Sequence, residues 1–187
     1  VATMSATIMI AVIMFQKFSI DQMFTPTVIF PIALAGAGLL SCLVGMLYAN
    51  VKKMGTDPSH ELNLATWISA GLTVVLGLGA SWLIFGKMDA SALETYGWTA
   101  SWLSPWICAV LGLASGVAIG SITEYYTSSD YKPTRKLAEM ATEGDAFVIT
   151  KGDAIGSRSC LLPIALIGIA LFISGKVGGT YGIAVAS

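Results

Sequence analysis

The sequence predicts an all-helical bundle that crosses a membrane several times. Three observations predict it. Of 187 residues, 55% are hydrophobic and 11% are charged, whereas soluble domains carry roughly 25% charged residues. Mean hydropathy is +0.76, so there are too few charged side chains to wet the surface of a soluble globule. The apolar residues also gather into runs of about 15 to 25 bounded by charges, and a helix needs roughly 20 such residues to cross a hydrocarbon core. The same composition excludes a disordered chain, which needs low hydrophobicity and high net charge. Net charge is −1, and the ten basic residues form no patch for nucleic acid.

The runs follow in order. The first is Val1 to Phe15, closed by Gln16 and Lys17. The second covers about 27–48 and closes at Lys52 and Lys53; the third covers about 62–85 and closes at Lys87. The fourth covers about 98–122, ending at Glu124, and the fifth about 155–173, followed by Lys176. A sixth stretch, 177–187, would reach only about half a bilayer as a helix. The first and last runs are both short for a span, so the chain reads as about five full spans plus a truncated sixth, all part of one larger membrane domain. A tail docked as a half-helix or re-entrant segment is the alternative.

Orientation follows from the basic residues between spans. Lys52, Lys53, Lys132, Arg135, Lys136 and Lys151 fall on one side, and Lys17, Lys87 and Lys176 on the other. This places loops 50–61 and 124–151 in the cytoplasm. Trp82, Trp98, Trp102, Trp106, Tyr48, Tyr96, Tyr125 and Tyr126 lie near run ends, where an interfacial aromatic belt would sit. In loop 124–151, Pro133 opens a short helix of about 133–142 that Gly144 ends. Arg135 and Glu139 form an i,i+4 pair on it, and the whole reads as a solvated surface helix.

Gly112, Gly116 and Gly120 recur every four residues on one face of the fourth span. Lipid gives helices no hydrophobic reason to associate, so a stripe of small residues is read as a helix-packing face. Glu124 and Arg158 are the charges nearest the membrane boundary. A guanidinium in hydrocarbon is costly, so Arg158 is expected to snorkel to the interface or to meet a carboxylate. Asp153 precedes it by five residues, about 500° of helical rotation, which puts the two on different faces. Glu124 is the better partner. Both are read as structural rather than as part of a transport path.

No chemistry stands out. Cys42, Cys108 and Cys160 each lie in an apolar run and read as small buried hydrophobes. The lone His60 makes no zinc site with them. No Ser/His/Asp set, HExxH motif, phosphate-cradling glycine loop or dense carboxylate cluster appears.

Three segments nevertheless resemble one family. Ile122-Thr123-Glu124-Tyr125-Tyr126-Thr127-Ser128 looks like the ITEYYTS element of membrane-bound, ion-pumping inorganic pyrophosphatases. Lys151 to Ser159 is similar to that family's G-x-A-x-G-x-x-S segment, with Asp153 where an apolar residue is usual. Thr180 to Ala186 resembles its LYGIAIA helix start. The three come in family order and cover 122–187; residues 1–121 match by span pattern only.

The resemblance implies a homodimer of larger all-helical subunits embedded in a lipid bilayer. It would hydrolyse pyrophosphate with Mg²⁺, and where required K⁺, while moving H⁺ or Na⁺. The family's substrate and metal ligands lie in aspartate-rich motifs that do not occur in these 187 residues. The segment would therefore be the middle of the pump, packed against the remaining helices of its own chain. It would bind no cofactor and hold no catalytic, substrate-binding or metal residue, and its fifth span would lie at the dimer interface. A secondary transporter or channel fragment, or a non-catalytic scaffold subunit, would share the composition and the glycine stripe.

Overall fold

The computed structural model describes residues 2–18, 21–51, 58–86, 98–142 and 144–187. Lys52, Lys53, Lys87, Tyr96 and much of loop 50–61 lie outside the described residues. Among those described there is no strand, and the chain is all-helical as the composition predicts. The helices are α1 (Ala2–Phe18), α2 (Asp21–Val51), α3 (Pro58–Phe85), α4 (Ser104–Thr127), α5 (Lys132–Met140) and α6 (Asp145–Ala186), with a 3₁₀ turn at Ser101–Leu103. Thr25–Tyr48, Asn63–Phe85, Ser101–Met140 and Asp145–Ala186 contain stretches long and apolar enough to cross a membrane, and Met4–Met14 is a shorter apolar stretch.

Several boundaries differ from the sequence reading for local reasons. α4 begins at Ser104, six residues after Trp98. Pro105 is tolerated in its first turn because no intrahelical donor is needed there, and the Ser104 hydroxyl accepts the Ala100 N–H at 3.0 Å. Gly144 does not end α5, which stops at Met140. With φ 136, it instead opens α6, its carbonyl accepting the N–H groups of Phe147 and Val148.

α6 is not straight. Gly179 has φ 59 and ψ −152, a conformation glycine adopts without a Cβ penalty. In an unbroken helix residues 174 and 182 would stand about 12 Å apart. Here a Cβ on Gly182 would lie 2.8 Å from the Ser174 carbonyl oxygen, and one on Gly175 would lie 3.2 Å from the Ile183 side chain. The chain therefore turns back on itself at Gly179, making a long limb up to Gly178 and a short limb of 180–186.

The chain divides into two compact units, 1–111 with 173–187, and 112–172. In the first, α2 and α3 approach closely where Gly45 meets the Ala65 carbonyl and Ser69. Trp106 at the start of α4 lies over Gly77 of α3 and donates its indole N–H to the Val74 carbonyl at 2.9 Å. The fully buried large side chains of this unit include Phe30, Phe85, Trp98 and Tyr181. In the second unit no described residue is buried. Leu161, Ile164 and Phe172 are each more than two-thirds exposed, the expected state of residues whose solvent is lipid.

The cysteines divide accordingly. Cys108 is buried, whereas Cys42 and Cys160 are exposed. An apolar run buries a side chain against protein only on the face that meets a neighbour.

Candidate functional site

The most ordered polar chemistry in the first unit gathers around the α6 turn, and it begins with a proline. Pro31 lies inside α2 and has no N–H to give the carbonyl four residues earlier. That carbonyl belongs to Thr27. Tyr181, the first aromatic of the short limb, donates its hydroxyl to it at 2.8 Å, in a buried setting. In an apolar medium an unmatched carbonyl is expensive, so this bond both satisfies α2 and seats the short limb on it. Thr7 of α1 seats the same limb by donating its hydroxyl to the Ala184 carbonyl at 3.0 Å.

The turn itself is held from outside the helix. The Val177 carbonyl accepts both the backbone N–H of Thr99, at 3.0 Å, and its hydroxyl, at 3.3 Å. The ring of Trp98 stacks on Tyr181 at 5.7 Å and meets Phe85 edge-on at 5.1 Å; Phe85 in turn meets Phe30 at 5.4 Å. These separations lie in the favourable range for aromatic pairs. Small residues let the limbs close. A Cβ on Gly178 or Gly182 would come within 2.8 or 2.7 Å of Cys108 Sγ, whose thiol points to the Ser174 carbonyl at 3.7 Å. The Ser174 hydroxyl is buried with no hydrogen-bond partner among the described residues. Beside this node lies a cavity of about 180 Å³ lined by Met4, Thr7, Pro31, Leu34, Ala184 and Val185 among others.

The sequence names Trp98, Cys108 and the Thr180–Ala186 element separately and does not join them into a node. Trp98 reads there as an interfacial belt residue, but it is 2% exposed and stacked inside the unit. Trp82, Tyr48 and Tyr125 are exposed, as belt residues would be. A signal did exist: Gly175, Gly178, Gly179 and Gly182 crowd into eight residues beside Lys176, a density that marks a close turn rather than a spanning helix.

The residues that were singled out lie in the second unit and are not brought together. A Cβ on Gly116 or Gly120 would meet nothing within 4 Å among the described residues, and Gly112 is half-buried. Glu124 is half-buried and Arg158 exposed. Asp153 is exposed as well. The hydroxyls of the Ile122–Ser128 element turn inward on their own helix. Thr123 donates to the Ile119 carbonyl and Thr127 to the Thr123 carbonyl, which satisfies them without a second element. Thr134 of α5 donates to the Tyr126 carbonyl at 3.2 Å, taking up one of the unmatched acceptors at the α4 terminus.

A Mg²⁺ centre would need several oxygen ligands. Among the described residues no group of three His, Cys, Asp or Glu side chains converges, so the described part of this segment does not fit such a centre.

The family that the sequence resembles is also the family of the chain's relatives. The sequence model of the family described as Inorganic H+ pyrophosphatase matches residues 1–187. A K(+)-stimulated pyrophosphate-energized sodium pump of Thermotoga maritima is 37% identical over 158 residues, covering 84% of this chain and 22% of that protein. A K(+)-insensitive pyrophosphate-energized proton pump of Caldanaerobacter subterraneus is 27% identical over 170 residues, covering 86% and 23%. Pyrophosphate-energized membrane proton pump 3 of Arabidopsis thaliana is 28% identical over 155 residues, covering 82% and 18%. The chain thus spans about a fifth of the length of these relatives. With a match along its whole length and an all-helical fold of membrane-crossing segments, it is a multi-pass integral membrane chain that belongs to the inorganic H+ pyrophosphatase family.

Proposed function

We propose that this chain is the middle segment of a membrane pump that couples hydrolysis of inorganic pyrophosphate to translocation of H⁺ or Na⁺. The observation that carries the reading is the family match across residues 1–187, with relatives named as pyrophosphate-energized sodium and proton pumps. Within such a pump the segment supplies scaffolding helices, and the pyrophosphate and Mg²⁺ are held by aspartate-rich motifs elsewhere in the protein. The pump works as a homodimer, with the 155–173 portion of α6 at the interface. The strong exposure of Leu161, Ile164 and Phe172 supports a covering by protein or lipid there. The 112–120 glycine stripe packs against a helix supplied by the rest of the protein, and its open Cβ positions leave room for one.

Loop 124–151 lies on the cytoplasmic side. The test reconstitutes the full-length protein into vesicles and supplies Mg-pyrophosphate. The expected result is phosphate release together with uptake of H⁺ or Na⁺; hydrolysis with no ion movement under either gradient would overturn the coupling. Residues 1–187 alone release no phosphate, and chelator-sensitive turnover by that segment would reassign the catalytic site. A cysteine at Thr134 labels only from the cytoplasmic face, and labelling from outside would invert the topology.

A further inference from the structure

We propose that residues 98–104 form a strap that locks the α6 hairpin, with Trp98 as its key. While Trp98 sits between Phe85 and Tyr181, the short limb 180–186 stays seated on α1 and α2. When Trp98 leaves, that limb is released.

The strap is anchored at two points and braced within itself at a third. The Ser81 hydroxyl of α3 holds the Trp102 carbonyl at 2.6 Å. The Ser104 hydroxyl holds the Ala100 N–H at 3.0 Å. Thr99 grips the Val177 carbonyl through both its N–H and its hydroxyl. Between these anchors Ser101 adopts φ 49, a left-handed conformation that costs a non-glycine residue free energy and persists only where the surroundings impose it. The strap is thus bent by its anchors and does not rest in its preferred shape.

Both hydrogen bonds of Thr99 end on one residue of the hairpin, Val177. Val177 lies two residues before the break at Gly179, and Tyr181 lies two after it. Thr99 holds the first, and Trp98 stacks on the second. Adjacent strap residues therefore clamp both sides of the break at once. The other holds on the short limb are the Tyr181 hydroxyl on Thr27 and the Thr7 hydroxyl on Ala184. Thr7 and Ala184 both line the 180 Å³ cavity, so seating the limb also fixes one wall of that cavity. This inference is independent of what the protein pumps.

Hydrogen exchange measured by mass spectrometry on the full-length protein in lipid nanodiscs tests it. Trp98→Ala should raise exchange of amides 177–186 by about tenfold or more, since a buried aromatic and its ring contacts are lost together. Peptides from 112–172 should exchange as in wild type, and those of α2 and α3 should change far less than 177–186. Trp98→Phe, which keeps a ring between Phe85 and Tyr181, should restore most of the protection. Thr99→Val leaves the rings in place and removes one hydroxyl. It should raise exchange at 177–181 about two- to tenfold, the size of one hydrogen bond, and it keeps the test decisive if Trp98→Ala does not fold. Unchanged protection of 177–186 in Thr99→Val and in any folded Trp98→Ala overturns the strap. So does an equal rise across α1, α2 and α3, which would make Trp98 a general core residue.

Discussion

The two units of this chain solve the same solvent problem in different ways. The first, 1–111 with 173–187, closes a core of its own around Phe30, Phe85, Trp98 and Tyr181. It uses that core to satisfy carbonyls at a proline and at a helix break. The second, 112–172, buries no described residue. The hydroxyls of Thr123 and Thr127 bond back into their own helix, and Leu161, Ile164 and Phe172 are exposed. Burying apolar surface against protein is not needed where lipid already provides an apolar medium. What lipid cannot supply is a hydrogen-bond donor. Long-range hydrogen bonds gather where the backbone is interrupted, at Pro31 and Gly179. Pro163 also lies inside α6, yet no buried cluster forms around it, which makes the contrast testable.

Truncating the core should separate the units most sharply. Phe85→Ala removes a side chain with no exposure and should cost about 3–5 kcal/mol, read as a lower unfolding temperature of the full-length protein in detergent. Ile149→Ala, at 73% exposure and outside the 155–173 portion, should cost under about 0.5 kcal/mol. Equal losses would break the comparison.

Glycine substitutions sharpen it next. Gly182→Ala forces a methyl against both Cys108 Sγ and the Ser174 carbonyl and should cost about 1–3 kcal/mol by overpacking. Gly178→Ala meets Cys108 Sγ alone within 4 Å, so Cys108→Ala should rescue Gly178→Ala but not Gly182→Ala, where the backbone obstruction remains. Gly152→Ala, outside the 155–173 portion and with only an ordinary 3.9 Å contact to Leu137, should be neutral or gain up to about 1 kcal/mol from helix propensity. Thermal melts of the five variants decide the matter, and rescue of Gly182→Ala by Cys108→Ala would show that the limbs are looser than their geometry implies.

A smaller effect isolates the orphan carbonyl. Tyr181→Phe keeps the ring but strands the Thr27 carbonyl, at a cost of about 1–3 kcal/mol. Pro31→Ala restores an N–H four residues on from Thr27, so the double variant should lose less than the sum of the two single ones. Additive losses would mean that the tyrosine hydroxyl does not serve the gap left by the proline. Smallest of all, Ser101→Gly relieves a left-handed φ worth about 1 kcal/mol but adds chain entropy of similar size. Its melting temperature should stay near wild type, and a large drop would mean that the Ser101 side chain is itself an anchor.

Much of the fold was legible because it follows from local quantities. Apolar runs bounded by Lys17, Glu124 and Lys176 determine helices and a membrane setting whatever the neighbours do. The family resemblance was readable from Ile122–Ser128, Lys151–Ser159 and Thr180–Ala186 because those are contiguous strings. Gly144 was misplaced by one element because a glycine between two helices can end one or begin the other, and sequence spacing does not choose.

What the sequence by itself determined was helix, membrane and family, each a property of a run or a string. The tertiary structure alone decided which interruptions matter. Trp98 and Trp82 are both aromatics near run ends, yet one is buried on Tyr181 and the other is 59% exposed. Cys108 and Cys42 lie in equally apolar runs, and only one is buried. Thr27 and Tyr181 are 154 residues apart, and nothing near either one announces the other. A missing backbone donor is visible in the sequence as a proline, but the group that replaces it is fixed only when another part of the chain arrives beside it.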